Sequence, residues 1–371
     1  MSPAALRLAL LALLLPALAA AEPAPRATPT RPGGSGGPPA LTAAPRIAAL
    51  SVTRVNGVDH VSLREAAALL GLQFSWREGE RRLALSDATG KVEFEIDSRE
   101  VSVRGLRLFL GRPVIARNGA ALVSRIDFER LLLARLRPAQ LGPPPPRPRV
   151  IALDPGHGGK DNGFENKRLG LREKVLTLDV AQRVQALLEA RGFKVVLTRT
   201  DDRQLAPDKP TDFRMRADVA NRAGADVFVS IHFNSLYPDT KTSGTETYAF
   251  TPPLQRSDRA WGPIEPDDTE RAPAPVNRYD PWSALLSQSM HREVIGALHS
   301  LDRGQKTMHS AVLRGLNCPA VLVESVFLSN DAEAALAATP EGRQRIAAAL
   351  ASGLNAYADA LAALAPPPSS P

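Results

Sequence analysis

Short apolar runs alternate with longer amphipathic segments over the second half of the chain. The apolar runs predict strands, and apolar residues repeated every three or four positions predict helices. The predicted strands are Val150–Leu153, Lys194–Thr198, Val227–His232, Thr245–Phe250, Ala311–Leu313 and Ala320–Glu324, and the predicted helices are 173–190, 211–223, 281–300 and 340–364. This alternation is typical of a largely parallel sheet with helices on both faces. We therefore predict an α/β fold, a three-layer αβα domain with a largely parallel mixed sheet.

The first half of the chain carries short alternating segments and a weak internal repeat. Asn56-Gly57, followed by Val61-Ser62, is echoed 62 residues later by Asn118-Gly119 and Val123-Ser124. Each unit predicts a strand, a tight Asn-Gly turn, a second strand and a short helix that the serine caps. We therefore predict a small α+β domain over residues 46–137.

Composition marks the boundaries of these domains. Residues 1–21 combine Arg7, an apolar stretch and three alanines, which predicts a secretory signal peptide, with an uncleaved membrane anchor as the alternative. Residues 22–45 are rich in Pro, Gly, Ala and Ser and predict a disordered tether. Residues 138–148 contain four consecutive prolines and predict a stiff linker before the larger domain, residues 149–365. These features predict an exported protein of the periplasm or cell envelope.

Charge and cysteine content restrict the partners and the chemistry. Cys318 is the only cysteine, and its apolar neighbours favour a buried structural thiol over a nucleophile. Residues 46–137 hold 16 Lys+Arg against 11 Asp+Glu, whereas residues 150–371 hold 25 against 27. The basic surplus indicates either attraction to an anionic partner, such as cell-wall glycan, teichoic acid or a membrane surface, or an arginine-rich solvated surface. Because the surplus is modest and aromatic residues are few, we expect no nucleic acid partner.

Four polar residues stand at the ends of predicted elements. His157 follows the first strand of the larger domain, in the turn Asp154-Pro155-Gly156-His157-Gly158-Gly159, where the glycines allow tight backbone angles. His232 and Glu324 close later strands, and Glu173 begins a helix. Because the carboxyl ends of parallel strands meet at one edge of a sheet, we expect these side chains to converge there.

Two imidazoles and one carboxylate are a common ligand set of catalytic zinc, which keeps a fourth position for water. We predict that His157, Glu173 and His232 bind Zn²⁺. Glu324 follows five apolar residues, and a partly desolvated carboxylate can accept a proton from water and pass it to a leaving amine. Taken singly, Glu173 could instead complement the helix dipole, and each histidine could be a packing residue.

Several segments of the larger domain match the motifs of one enzyme family. They are Asp154-Pro155-Gly156-His157-Gly158-Gly159, Glu173-Lys174, Asn221-Arg222-Ala223-Gly224-Ala225-Asp226, Ser230-Ile231-His232-Phe233-Asn234, Asp302-Arg303-Gly304 and Pro319-Ala320-Val321-Leu322-Val323-Glu324. Residues 149–361 therefore resemble the zinc-dependent N-acetylmuramoyl-L-alanine amidases of the type-3 family. The resemblance implies zinc on the three predicted ligands, Glu324 as catalytic acid/base, and hydrolysis of the amide between N-acetylmuramic acid and L-alanine of the peptidoglycan stem peptide. By its layout, the small domain resembles the copper amine oxidase N-terminal-like domain of exported bacterial proteins.

Two segments depart from that family's pattern. Ser325-Val326-Phe327 follow Glu324 where the family usually has a small residue and then phenylalanine, so we expect a different local turn. Residues 252–280 form an insertion rich in proline and acidic residues, which fits either a lid over the metal site or a surface loop. A zinc peptidoglycan peptidase and a catalytically idle wall-binding activator are the alternative functions. Peptidoglycan is the expected partner; the sequence leaves open the oligomeric state and a protein activator or divisome recruiter.

Overall fold

The computed structural model describes residues 50–79, 81–258 and 272–365. The segments predicted as signal peptide and tether lie outside the described residues, and so do residues 259–271 of the insertion. The choice between a lid and a surface loop therefore stays a prediction, as do the domain boundaries.

Seventeen strands and nine α-helices make up the described part of the chain. The strands are β1 (Val52–Val55), β2 (Val58–Ser62), β3 (Gln73–Arg77), β4 (Arg82–Asp87), β5 (Gly90–Glu95), β6 (Glu100–Val103), β7 (Leu106–Phe109), β8 (Ile115–Arg117), β9 (Ala120–Ser124), β10 (Val150–Pro155), β11 (Glu165–Asn166), β12 (Leu171–Arg172), β13 (Lys194–Leu197), β14 (Val227–Asn234), β15 (Thr245–Phe250), β16 (Asp302–Met308) and β17 (Ala320–Phe327). The helices are α1 (Leu63–Leu70), α2 (Arg125–Asp127), α3 (Leu133–Leu136), α4 (Glu173–Glu189), α5 (Lys209–Arg222), α6 (Asp280–Leu298), α7 (Ala311–Arg314), α8 (Asp331–Ala338) and α9 (Pro340–Leu364). A π-helical turn, Phe128–Leu132, joins α2 to α3, and 3₁₀ turns lie at Pro138–Gln140 and Pro275–Tyr279.

The predicted repeat in the first half of the chain is confirmed. Asn56-Gly57 and Asn118-Gly119 each adopt the left-handed conformation at both positions, with φ of 49° and 76° in the first turn and 50° and 72° in the second. These angles suit a two-residue hairpin turn, and asparagine and glycine tolerate them best. Ser62 and Ser124 then cap the helices that follow. The two hairpins form a four-stranded sheet in the order β1-β2-β9-β8.

One large mixed sheet organises the larger domain. Strands β13, β10, β14 and β17 are parallel, whereas β15 runs antiparallel to β17 and parallel to β16. Alternate strand residues enter two apolar clusters: one includes α4, α6 and α9, and the other includes α5 and α7. The helices therefore cover both faces, and the predicted three-layer fold with a largely parallel mixed sheet is confirmed.

The predicted strand Ala311–Leu313 is wrong. These residues begin the short helix α7, where Val312 and Leu313 are buried, and the strand lies earlier, at Asp302–Met308. That strand has no apolar run: its buried residues include Gln305, which accepts hydrogen bonds from the buried Arg135, and Thr307. Apolar periodicity cannot detect such a strand. The predicted helix 281–300 is also slightly long, since α6 ends at Leu298.

The strands of the two halves belong to one eleven-stranded sheet, β13-β10-β14-β17-β15-β16-β7-β6-β5-β4-β3. Strand β16 pairs in parallel with β7, with Gln305 opposite Leu108. The Arg107 backbone N–H donates to Asp302 Oδ2 at 2.8 Å, and the buried Arg135 donates to Gln305 Oε1 at 2.9 and 3.0 Å. The larger of the two apolar clusters also contains residues from both halves. The small domain therefore packs directly onto the larger one.

Helix α9 begins at Pro340, as predicted, and Thr339 caps it: Thr339 Oγ1 accepts a hydrogen bond from the Gly342 backbone N–H at 3.0 Å. By length and composition this helix could cross a membrane. In the structure its apolar residues, among them Leu350, Leu354 and Tyr357, are buried in the main core cluster. The apolar character of α9 is therefore explained by core packing.

Candidate metal centre

The three predicted metal ligands meet at one point. Glu173 Oε1 lies 3.0 Å from His157 Nε2 and 3.1 Å from His232 Nδ1. The candidate ligand atoms of the three residues lie within 4.8 Å of one another. Among the described residues, no other group of three or more His, Cys, Asp or Glu side chains could hold a metal ion in this way. The two imidazole rings stand edge to face, with their centres 4.8 Å apart. This convergence brings together residues that are 75 positions apart in sequence, from 157 to 232.

Each ligand is placed by the end of an element. His232 lies near the carboxyl end of β14, His157 lies in the turn after β10 with φ of 62°, and Glu173 is the first residue of α4. Two glycines leave room for them. A Cβ on Gly156 would lie 2.2 Å from His232 Cε1, and a Cβ on Gly163 would lie 2.5 Å from Glu173 Oε2. The backbone must therefore approach the ligands more closely than any side chain permits.

Glu324 lies on the strand next to His232. The two residues are direct partners in the parallel pair β14–β17, so their side chains point to the same face of the sheet. Glu324 is 7% exposed. After it, β17 continues to Phe327, and the register with β14 shifts by one residue, so Phe327 pairs with Asn234. Ser325-Val326-Phe327, where we predicted a different local turn, thus continue strand β17 through this shift of register.

The ligand set fits a zinc ion. Two imidazole nitrogens face a single carboxylate oxygen, which is a combination of donors that zinc prefers. Asp161 Oδ2 lies 3.1 Å from Nδ1 of His157, so the Nε2 atom of this ring is the one that faces Glu173. A carboxylate behind a ligand histidine fixes the orientation of the ring and increases its basicity. The small space that Gly156 and Gly163 leave open lies at this same point.

The charges at the site favour an anionic Glu173. Burial opposes its ionisation, but hydrogen bonds from His157 and His232 outweigh burial and lower the pKa of Glu173 far below its usual value. Burial likewise disfavours protonation of His157, but its contacts with Glu173 and Asp161 raise the pKa of that imidazole. The buried carboxylate of Glu173 therefore carries a negative charge, which favours the binding of a proton or a cation at this site.

Two buried arginines donate hydrogen bonds to the backbone that carries the ligands. Arg199 donates to the carbonyls of Pro155, Gly156 and Lys174 at 2.8 to 2.9 Å. Arg216 donates to the carbonyl of His157 at 2.7 Å. Arg199 therefore joins the turn that carries His157 to the helix that begins at Glu173.

Asp154 is paired with one of these two arginines, Arg216. Its buried carboxylate accepts hydrogen bonds from Arg216 at 2.9 Å, Thr198 at 2.5 Å and Ser230 at 2.7 Å. Burial raises the pKa of Asp154, but Arg216 and the two hydroxyls lower it overall. A buried cation paired in this way keeps its position without an unpaired charge.

Sequence reasoning missed the residues that support the ligands. Asp161 could have been found, since it follows His157 by four positions in the same glycine-rich turn. Arg199 and Arg216 could not, because in sequence a buried arginine looks like a surface one. Cys318 is buried, as predicted; burial raises the pKa of its thiol to about 12, which does not suit a nucleophile.

Comparison with known proteins identifies the family of the larger domain. The model of the N-acetylmuramoyl-L-alanine amidase family matches residues 151–356. The chain belongs to this family. Because the match begins at residue 151, the resemblance of the small domain to the copper amine oxidase N-terminal-like domain stays a prediction.

Three relatives illustrate the extent of the similarity. A cell wall amidase of Bacillus anthracis is 32% identical over 210 residues, which cover 56% of this chain and 35% of that protein. The germination-specific N-acetylmuramoyl-L-alanine amidase of Bacillus subtilis is 28% identical over 218 residues and is covered to 79%. The solved CwlD amidase of Clostridioides difficile, in complex with the GerS lipoprotein, is 27% identical, with 57% of this chain and 99% of that one covered and a TM-score of 0.45. The chain thus spans about a third of the Bacillus anthracis protein.

Proposed function

We propose that this protein is a zinc-dependent peptidoglycan hydrolase that cleaves the amide between N-acetylmuramic acid and L-alanine of the stem peptide. The observation that supports this most directly is the convergence of His157, Glu173 and His232 beside Glu324, in a chain of the amidase family. Cell-wall remodelling or daughter-cell separation is the process such a hydrolase would serve.

In this proposal the residues of the site have separate tasks. His157, Glu173 and His232 hold the zinc ion, which when bound supplies Lewis acidity and lowers the pKa of water. Glu324, on the neighbouring strand and the same face, accepts a proton from water and donates it to the alanine nitrogen as the amide breaks. Asp161 and Arg199 keep the ligand-bearing turn in place, so that the site is organised before the substrate arrives.

Digestion of purified sacculi by the full chain tests this proposal. We expect free stem peptides that begin with L-alanine, together with glycan strands that keep their lactyl groups, all identified by mass spectrometry. A metal chelator should abolish the activity, and zinc should restore it. Shortened stems still attached to muramic acid would show a peptidase instead, and a zinc-loaded protein that releases nothing would support an idle wall-binding protein.

A single substitution tests the role of Glu324. Glu324→Gln keeps the size of the side chain but removes the proton acceptor, so we expect kcat to fall about 10²- to 10⁴-fold. The zinc content, measured by elemental analysis, should stay at the wild-type value because Glu324 is not one of the ligands. Wild-type cleavage by this variant would remove Glu324 from the mechanism.

The proposed substrate implies a location and partners. Peptidoglycan lies outside the cytoplasmic membrane, so we propose that the protein acts in the periplasm or cell envelope; cell fractionation tests this. A protein activator or divisome recruiter, which the sequence leaves open, would be sought by crosslinking in the same cells.

A further inference from the structure

Arg303 holds its guanidinium at the sheet edge where Glu324 lies. Its Nε donates to Glu246 Oε1 at 2.9 Å, and its Cζ lies 5.1 Å from the centre of the Phe327 ring. The side chain is 30% exposed. Within the part of the chain that the structure describes, its two terminal nitrogens, Nη1 and Nη2, donate no hydrogen bond. Two N–H-bearing groups of a positioned guanidinium are therefore available to a ligand.

Glu246 accepts the hydrogen bond from this arginine, and each of its two carboxylate oxygens accepts two hydrogen bonds in all. It accepts hydrogen bonds from Lys306 Nζ at 2.8 Å, Tyr248 Oη at 2.5 Å and Asn234 Nδ2 at 2.8 Å. Burial opposes the ionisation of Glu246, but the contacts with Lys306, Tyr248 and Arg303 lower its pKa overall. The anchor is therefore a fixed anion, and the arginine on it is held in one orientation.

The backbone also makes room for Arg303. A Cβ on Gly244, which has φ of 117°, would lie 2.8 Å from Arg303 Cγ and 2.4 Å from the Leu301 carbonyl oxygen. Glu333, a second carboxylate close to Arg303, accepts hydrogen bonds from the backbone N–H groups of Gly244 and Phe327 at 2.8 and 2.6 Å. Glu333 thus positions the backbone on both sides of the arginine.

The register of the sheet places this arginine within reach of the reaction. Glu246 is the direct partner of Glu324, which is the direct partner of His232. Two strand spacings separate Glu246 from His232, which is about 10 Å. A peptide advances about 3.5 Å per residue. With the scissile amide at the metal site, the second or third residue of the bound stem peptide would lie beside Arg303.

We propose that Arg303 binds the free α-carboxylate of the second residue of the stem peptide and so makes the enzyme prefer stems in which this carboxyl group is not amidated. The inference rests on the proposed amidase function. In peptidoglycan this residue is D-isoglutamate or its amide. A guanidinium fixed through Nε presents its remaining N–H groups as a planar fork. Both oxygens of a carboxylate can accept from this fork, whereas a carboxamide is neutral and offers one acceptor oxygen.

Two synthetic substrates test this proposal, a muramyl tetrapeptide with D-isoglutamate and the same molecule with D-isoglutamine. For the zinc-loaded full chain we expect kcat/KM to be about 10- to 100-fold higher for the acid than for the amide, which is the size of effect that a charge-assisted hydrogen bond gives. Most of this difference should be a lower KM for the acid. Arg303→Gln should lose this factor on the acid and keep the wild-type rate on the amide. Arg303→Lys should recover part of the preference, because it keeps the charge but not the fork.

Arg314→Gln is the matched control. The Arg314 guanidinium also lies against a phenylalanine ring, 5.5 Å from the centre of Phe250, but at the opposite end of β15. This variant should keep the preference for the acid. Zinc content and the thermal unfolding midpoint are measured for every variant, and Arg303→Gln should keep the full zinc content.

Binding gives a second readout that does not depend on turnover. By calorimetry, zinc-loaded Glu324→Gln should bind the acid substrate about 10- to 100-fold more tightly than the amide, and adding Arg303→Gln should remove the difference. Equal use of both substrates by the wild type, or an equal loss on both in Arg303→Gln, would overturn the proposal. A wild-type protein that cleaves neither substrate would instead refute the proposed function.

Discussion

At the scale of the residue, the metal site depends on a glycine, Gly156, whose missing side chain leaves room for a ligand. Alanine at position 156 would place its Cβ 2.2 Å from the His232 ring. Because the ring must then move, we expect Gly156→Ala to weaken zinc binding at least tenfold, measured by competition with a chromophoric chelator.

Gly296→Ala is the control for this substitution. Gly296 lies in α6, and nothing lies within 4 Å of an added Cβ. Alanine should stabilise the helix by about 0.5 to 1 kcal/mol and leave zinc affinity unchanged. If Gly156→Ala binds zinc as tightly as this control, the tight packing around His232 has no part in metal binding.

Asp161 is the second residue whose role can be isolated. Asp161→Asn should weaken zinc binding about 10- to 100-fold, since a carboxylate behind a ligand histidine orients the ring and increases its basicity. Asp202→Asn is the matched variant: Asp202 contacts the Gly159 backbone N–H and Lys174 of the same region but none of the three ligands. Equal affinities for the two variants would contradict an orienting role of Asp161.

At the scale of the element, one helix carries a buried acid at its first position. Asp280 begins α6, and burial raises the pKa of its carboxyl to about 7, although Asn277 and Arg130 oppose the change. In the unfolded chain this pKa lies near 3.8. Between these values the folded state binds more protons than the unfolded state, so the free energy of unfolding falls as pH rises through this window.

Asp280→Asn removes this titration and can keep the contact with Asn277. We expect the variant to gain stability relative to the wild type between pH 5 and pH 8, as measured by urea unfolding at both values. The direction of the pKa change decides the sign of this stability difference. As pH rises, the buried carboxyl of the wild type ionises and the folded state loses stability, whereas the amide of the variant does not ionise. The same difference in stability at both pH values would show that Asp280 ionises normally.

The elements themselves were predictable where their environment is apolar. Strands β10, β14 and β17 are buried on both faces, so their apolar runs show in the sequence, and the cap Thr339 with Pro340 locates the start of α9. Strand β16 was missed because its buried residues include the polar Gln305, which accepts hydrogen bonds from Arg135, and Thr307.

At the scale of the whole molecule, the two halves share a sheet and a core cluster. We therefore expect one cooperative unfolding transition by calorimetry, with a calorimetric enthalpy equal to the van't Hoff enthalpy. Two separate transitions would show that the small domain and the larger domain unfold independently.

A substitution at the junction tests how strongly the halves are coupled. Gln305→Leu leaves the buried Arg135 without its side-chain acceptor, so we expect a loss of about 1 to 3 kcal/mol in the free energy of unfolding. Gln344→Leu is the control, because Gln344 accepts from Arg183 at 3.0 Å on the surface; its effect should stay within about 0.5 kcal/mol. Equal effects would mean that the Arg135 contact contributes nothing to the junction.

The sequence by itself determined the larger domain's layers and the residue types of the metal site. Both depend on local signals: apolar runs that end in polar residues, and a glycine-rich turn around His157. Only the tertiary structure decided which groups support that site and how the two halves meet. Arg199, the pair Glu246–Arg303 and the junction of β7 with β16 join segments that are distant along the chain. Buried polar contacts of this kind have no periodicity, so they become visible only when the chain is folded.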